Sequence, residues 1–535
     1  MILGLGSRRQ SLILLALFAI MLVLVFYKQN DLPDVPKFTD FKSVLPRERL
    51  NVHPAKKDNL EKTHLLLPAP AGIASMCKTL LTASVLGYPV PTLIGYNQSY
   101  DDDQLINGGR HLSKISQVLE WLESQHSEKK DDLVVIVDAY GGFNYQNSRA
   151  GIQSHLEGDA WFQLPFEILV QRYQAVVEQA NRDLAASMGD AFEAEGINQK
   201  IVFAASKQCT PNNAESASCY PVPDSPLPSA LYGKFTDSPD ANYTTHRQRY
   251  LSSAYVIGPM NDMLSLFRRA NERATSERER SLQMPSDPAF ESSLYMGSDQ
   301  AIFHRIFGEQ EFQREAIRRR HGARARGKTV VEGVSVKDVL EPDFAHEELK
   351  IKDGKPDEFG MFIDYWSDLG MQTTHSLDDG LWLTYKDNLP EKQLAASRPT
   401  GQPWLCGPQV SGKLPVEVVN STSMPRSAVP DDAPFRPLRG WDEIPLYTNV
   451  CLDTIPVIVN HAGDQTERGR DWPEMWIQPH ARRLIDDVLA SKQKDSHGSV
   501  RGGAIVGPGG RYQTWKDLCP ASLDNELYRD YYDEV

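Results

Sequence analysis

The run Leu133-Val134-Val135-Ile136-Val137 is apolar throughout, rich in β-branched side chains, and stops abruptly at Asp138. So short an apolar run reads as a strand buried on both faces, which requires a sheet covered by helices on either side. In such α/β sheets ligands bind in the crevice beyond the carboxyl ends of the strands, and Asp138 stands at that rim.

The flanking sequence repeats the alternation. His64-Leu65-Leu66-Leu67-Pro68 reads as a strand, Met76–Leu86 as a helix, and Pro89–Tyr96 as a second strand. Ile115, Val118, Leu119 and Leu122 share one face of a further helix just before the run that ends at Asp138. Strands alternating with helices predict a mostly parallel sheet with flanking helices. No G-x-G-x-x-G or Walker motif is present, which argues against dinucleotide and P-loop sites. Nor is there a Gly-x-Ser-x-Gly elbow or a His-Glu-x-x-His helix, which argues against a hydrolase. The net charge of −14 lacks the basic footprint of a nucleic-acid binder.

The N-terminus sets the expected compartment. Arg8 and Arg9 precede an uncharged apolar stretch, residues 11–27, at the short end of the roughly 17 to 25 residues that span a bilayer. A cleaved signal peptide is the rival reading, but the stretch is long for its apolar region and no small-x-small site follows. Residues 1–10 are then a cytosolic tail, 11–27 a transmembrane signal anchor, and everything beyond Lys28 lumenal, a single-pass type II arrangement in the ER or Golgi membrane. Residues 28–62, polar with scattered prolines, read as a stem. The folded domain is expected over 63–490, and 491–535, rich in Lys, Ser and Gly before an acidic end, as linker and tail.

Six cysteines without a CxxC pair permit disulfides and speak against zinc. Cys209 and Cys219 flank a short loop and form the expected local bridge, whereas Cys77 reads equally as a buried thiol. Asn97-Gln98-Ser99, Asn242-Tyr243-Thr244 and Asn420-Ser421-Thr422 match the glycan acceptor triplet.

Beyond Asp138 the period is lost. The segment 141–158 is polar and featureless, after which Asp159-Ala160-Trp161-Phe162 resumes. Lifting it out leaves Asp138 and Asp159 two residues apart, an Asp-x-x-Asp spacing. Three readings stand: a surface loop that lets the aspartates meet, an insertion that destroys the site, or a retained intron. Its eighteen residues are a whole number of codons, and Gly141 and Gly158 codons admit donor and acceptor splice signals.

With that join, the chain resembles fungal glycosyltransferases related to the glucosyltransferase domain of lysyl hydroxylases. The likeness rests on ordered blocks: Gly108–Lys114, the two aspartates, Ile201–Ala205 with Cys209 and Pro211, Tyr250–Gly258, Ser298-Asp299-Gln300, and Ile363–Leu369. It implies a GT-A fold that holds Mn²⁺, or Mg²⁺, against a UDP-sugar and transfers a hexose to a hydroxyl acceptor with retention. It also implies that Asp138, Asp159 and a later histidine hold the metal. His461, in Asn460-His461-Ala462-Gly463-Asp464 after the apolar run Ile455–Val459, is the candidate. Lys114, Asp138 and Tyr140 are the candidate donor contacts. Collagen acceptors are not carried over, since no iron-binding hydroxylase part follows; a glycan, protein or cell-wall acceptor is expected. A non-catalytic binding relative whose metal site 141–158 has disrupted is the alternative.

Carboxylates suit this chemistry because a departing nucleoside diphosphate gains negative charge that a hard cation neutralises. Asp299 is the expected acceptor-side carboxylate, as base or as stabiliser of the cationic sugar. Ser298 and Asp299 also open an amphipathic helix, so a capping role competes. The Arg318–Arg320 and Arg324–Arg326 clusters read as a solvated face with one arginine able to reach a diphosphate. Asp378 and Asp379 read as a turn without chemistry.

Overall fold

The computed structural model describes residues 50–69, 73–99, 109–125, 129–139, 158–238, 243–283, 298–344, 349–388, 390, 393–394, 404–408, 410–421, 440–462, 469–507 and 509–528. The expected tail, anchor and most of the stem lie outside these residues, as do Tyr140, residues 141–157 and Asn242. Among the described residues no helix is long and apolar enough to cross a membrane.

The strands, in chain order, are β1 (Thr63–Pro68), β2 (Thr92–Ile94), β3 (Leu133–Val137), β4 (Gly158–Phe162), β5 (Ile201–Ser206), β6 (Tyr250–Pro259), β7 (Thr329–Val331), β8 (Val334–Val336), β9 (Met361–Ile363), β10 (Gly370–Gln372), β11 (Gly380–Leu383), β12 (Leu446–Asn449), β13 (Ile458–Ala462), β14 (Ala504–Val506) and β15 (Arg511–Gln513). Eight of them form the main sheet in the order β15-β14-β2-β1-β3-β6-β5-β9. β14, β2, β1 and β3 run parallel, as do β5 and β9. β6 is antiparallel to both of its neighbours, and β15 is antiparallel to β14. The result is an α/β architecture with a mixed, mostly parallel sheet.

The apolar run behaves as its composition requires. Val135 and Val137 enter one core with Met76, Leu80 and Leu81 of the helix Ala74–Val85 and with Ile168 and Leu169 of the helix Phe166–Met188. Val134 and Ile136 enter the opposite core with Ile115, Val118 and Leu122 of Arg110–Gln125, Phe267 of Met260–Gln283, and Ile302 of Asp299–Arg320. Alternate side chains thus bury on opposite faces, so neither face of β3 tolerates a polar residue until the strand ends at Asp138. A second layer, the sheet β10-β13-β4, lies beside this core, with the antiparallel pair β11–β12.

Two expectations need correction. The strand expected over Ile455–Val459 runs instead over Ile458–Ala462, so His461 sits within β13 and not after it. Residues 491–528 are no linker. β14 pairs with β2 through Ile505 and Thr92, Trp515, Leu518, Leu527 and Tyr528 are buried, and Cys519 bridges to Cys77 across 442 positions. The glycines that suggested flexibility serve turns: Gly498, Gly502, Gly507 and Gly510 all have positive φ. The expected Cys209–Cys219 bridge is present, and Cys406 pairs with Cys451. Cys77 is therefore disulfide-bonded, and the described cysteines leave no free thiol.

The C-terminal segment also stacks His497 on His64, with ring centroids 4.4 Å apart, while His64 Nε2 lies 2.8 Å from an Asp132 oxygen. Burial, together with His497 and Lys129, outweighs Asp132 and pushes the His64 pKa down to about 4. Burial does the same to His304, against the Leu251 carbonyl, again to about 4. A histidine whose folded pKa lies below its unfolded value stabilises fully above pH ~6.5 and loses that contribution as pH falls towards 4. Urea unfolding should therefore lose stability between pH 6.5 and 4, on the order of 3 kcal/mol per imidazole. His64→Asn and His304→Asn should each flatten the slope, and an unchanged slope would refute the assignment.

Candidate active site at the carboxyl rim of the sheet

Three residues chosen from the sequence converge here. Lys114 lies in the first turns of the helix Arg110–Gln125, Asp138 one residue past β3, and Asp299 at the start of the helix Asp299–Arg320. The Lys114 Nζ is 2.8 Å from Asp138 Oδ1 and 2.9 Å from its Oδ2, 2.8 Å from Asp299 Oδ2, and 3.3 Å from the Ser253 carbonyl oxygen of β6. The lysine side chain is wholly buried, and Asp299 is nearly so; Asp138 keeps 19% of its side chain exposed. An ammonium has three protons to donate, and two carboxylates and one carbonyl receive them. That arrangement explains how a lysine is tolerated beside Ile115 in the core.

The electrostatics are asymmetric. Burial alone would lower the Lys114 pKa, but Asp138 and Asp299 together raise it. Burial pushes the Asp138 carboxyl up to about 6, helped by Asp299 and opposed by Lys114. Asp299 is held below the usual carboxylate range: burial opposes ionisation, but Lys114 and His111 outweigh it. The His111 Nδ1 is 3.8 Å from Asp299 Oδ1. One carboxylate therefore stays charged while its neighbour accepts a proton first.

The capping reading of Ser298 also holds, since its Oγ accepts from the Ala301 amide at 3.3 Å. Asp299 follows it as the first helical residue, so the cap and the acidic side chain fall to adjacent positions.

His461 is brought to Asp159 by backbone register: the two are direct partners across the β13–β4 pairing. Residues directly opposite in an antiparallel pair share a sheet face. The Asp159 side chain and residues 140–157 lie outside the described residues. Among the described residues no three His, Cys, Asp or Glu side chains gather as a metal site. His461 itself is 1% exposed, and its ring packs on Trp161 with centroids 4.0 Å apart. Its Nδ1 lies 3.3 Å from Asp471 Oδ2, and its buried Nε2 has no hydrogen-bond partner among the described residues. A buried ring nitrogen left unpaired is costly, while its other nitrogen lies within ion-pair distance of a carboxylate. Metal-ligating histidines show that same pattern, so the His461 ring is suited to be one ligand of a divalent cation.

The arginine clusters do not reach this rim. Arg318, Arg319 and Arg326 all pair with Glu315, and Arg319 also pairs with Asp338. Arg318 and Arg319 sit at the far end of a helix whose first residue is Asp299, about 28 Å away at 1.5 Å per residue. Asp379, read as a simple turn residue, is buried and ion-paired at 2.7 Å with Lys207, and accepts from the Tyr232 hydroxyl at 2.9 Å. Sequence reading missed His111, Ser253 and Asp471. His111 was accessible to it, since it lies one turn before Lys114 on the same helix face. Ser253 acts through its carbonyl on Lys114 and its hydroxyl on Asp299, and Asp471 through a tertiary contact, none of which a local pattern encodes. No protein-family model matches the chain, and no curated protein matches it.

Proposed function

We propose that the chain is a metal-dependent glycosyltransferase that moves a hexose from a UDP-sugar to a hydroxyl acceptor. The observation that carries the proposal is the bridge Asp138–Lys114–Asp299, built from residues 24 and 185 positions from the lysine, at the ligand-binding edge of a mostly parallel sheet. Perturbed, coupled carboxylates in such a place are the usual mark of a working site.

On this reading Asp138, Asp159 and His461 would hold Mn²⁺ or Mg²⁺, which when bound would neutralise the leaving diphosphate. Lys114 is the tie that keeps Asp138 and Asp299 oriented at the rim. Asp299, held ionised, faces the acceptor and takes its hydroxyl proton or balances the cationic sugar. Lys114 then touches the donor only by exchanging one of its three bonds, so its first role is positioning. Asp471, beside Nδ1, would orient the His461 ring and leave Nε2 available as a ligand. A GT-A domain anchored in the ER or Golgi membrane accommodates all of this. The three disulfides support an extracytoplasmic body.

The alternative, a non-catalytic binding protein, is favoured by one observation: the Lys114 ammonium sits within ion-pair distance of both oxygens of Asp138, although only Oδ2 accepts a hydrogen bond from it. Titrating the full chain with Mn²⁺ in the presence and absence of UDP separates the readings. The transferase predicts Mn²⁺ binding that UDP strengthens at least tenfold and that Asp138→Asn abolishes. Equal Mn²⁺ affinity in wild type and Asp138→Asn would overturn the site.

A further inference from the structure

We propose that Asn420 carries an N-linked glycan whose purpose is to cover an apolar pair on the short helix Val416–Val419. That helix is docked by Val418, which is fully buried, by Glu417 on Arg172 at 2.8 Å, and by the Ser421 hydroxyl on Glu167 at 2.6 Å. Its other face is bare: Val416 is 69% and Val419 61% exposed, the two most exposed of the described large apolar side chains. Asn420 follows at once, its amide bonded to the Val416 carbonyl at 2.9 Å. Residues four apart on a helical turn stand one above the other, so the Asn420 side chain emerges over Val416 and beside Val419. It is exposed, and Asn420-Ser421-Thr422 is an acceptor triplet.

The step is a group transfer from a lipid diphosphate-linked oligosaccharide. The Asn420 carboxamide nitrogen bonds to the anomeric carbon, the bond from that carbon to the diphosphate breaks, and the lipid diphosphate leaves as the carboxamide loses one proton. The inference rests on a lumenal chain, for which the disulfides speak, and not on the transferase reading. A bulky hydrophilic group at this point removes from solvent the kind of exposed apolar surface that promotes self-association.

The test is to express the full chain in a eukaryotic secretory host and release glycans enzymatically in ¹⁸O water, which converts each occupied asparagine to labelled aspartate. Label at Asn420, and loss of one glycan from Asn420→Gln, are expected. Asn420→Gln should also bind more of an apolar-surface dye and self-associate, and Val416→Thr with Val419→Thr in the same chain should reverse both. Label at Asn97 but not at Asn420 overturns the site in a lumenal protein. Absence of label at every triplet together with free cysteines overturns the lumenal premise and the proposal with it. A monomeric, dye-silent Asn420→Gln protein overturns the covering role.

Discussion

Lys114→Met should destabilise the fold by about 3–5 kcal/mol, the usual cost of removing one partner from a buried charge pair. The substitution keeps the volume of the side chain but leaves Asp138 and Asp299 facing one another without the ammonium that both contact. Two buried like charges cannot both stay ionised, so Asp138, already pushed up to about 6, should take up a proton near neutral pH. The check is urea unfolding across pH 5 to 8. Lys114→Met should be least stable at the high end, where both carboxylates must charge. Adding Asp138→Asn and Asp299→Asn to the same chain should recover most of the loss, because the uncompensated charges are then gone. A loss below about 1 kcal/mol, the size of an exposed pair, would mean that the bridge does not persist in solution.

The second large effect concerns the metal. Asp471→Ala should weaken Mn²⁺ binding by about 10- to 100-fold, the range observed when the orienting carboxylate of a ligating histidine is lost. His461→Ala should weaken it further, and the double substitution should be no worse than His461→Ala alone, since Asp471 acts only through the ring. Calorimetric titration reads both, and melting curves in the absence of metal separate loss of affinity from loss of fold. Additive losses would show that Asp471 binds the ion on its own account, and unchanged affinity in both variants would remove His461 from the site.

Much of the main sheet was legible because its signals are local. A five-residue apolar run with four β-branched side chains, an amphipathic face at 115–122 and a Ser-capped helix at 298 each declare themselves locally. Asp138, Lys114 and Asp299 were chosen singly, on a strand end and two helix starts. Their meeting on one ammonium depends on β6 lying beside β3, a pairing between residues more than 100 positions apart. The C-terminal segment misled for a physical reason: glycine marks both linkers and left-handed turns, and only the disulfide to Cys77 and the pairing of β14 with β2 separate the two. The shift of β13 by three residues arises because Pro456 lies within the apolar run, where it cannot donate to a ladder, so pairing begins at Ile458. Asp159 and His461, 302 positions apart in the chain, become neighbours only through that shifted register.

The central claim is that the rim around Asp138 transfers sugar, and UDP release tests it most directly. The assay takes the full chain and a version lacking residues 141–158, with a panel of UDP-sugars, with and without Mn²⁺. The account predicts Mn²⁺-dependent release of UDP by at least one version with at least one donor, reduced at least a hundredfold by Asp138→Asn and by Asp299→Asn. Release in the shortened version alone would identify 141–158 as the segment that breaks the site. No release by either version with any donor, from protein that is folded and disulfide-bonded, would contradict the account and leave a sugar-binding scaffold in its place.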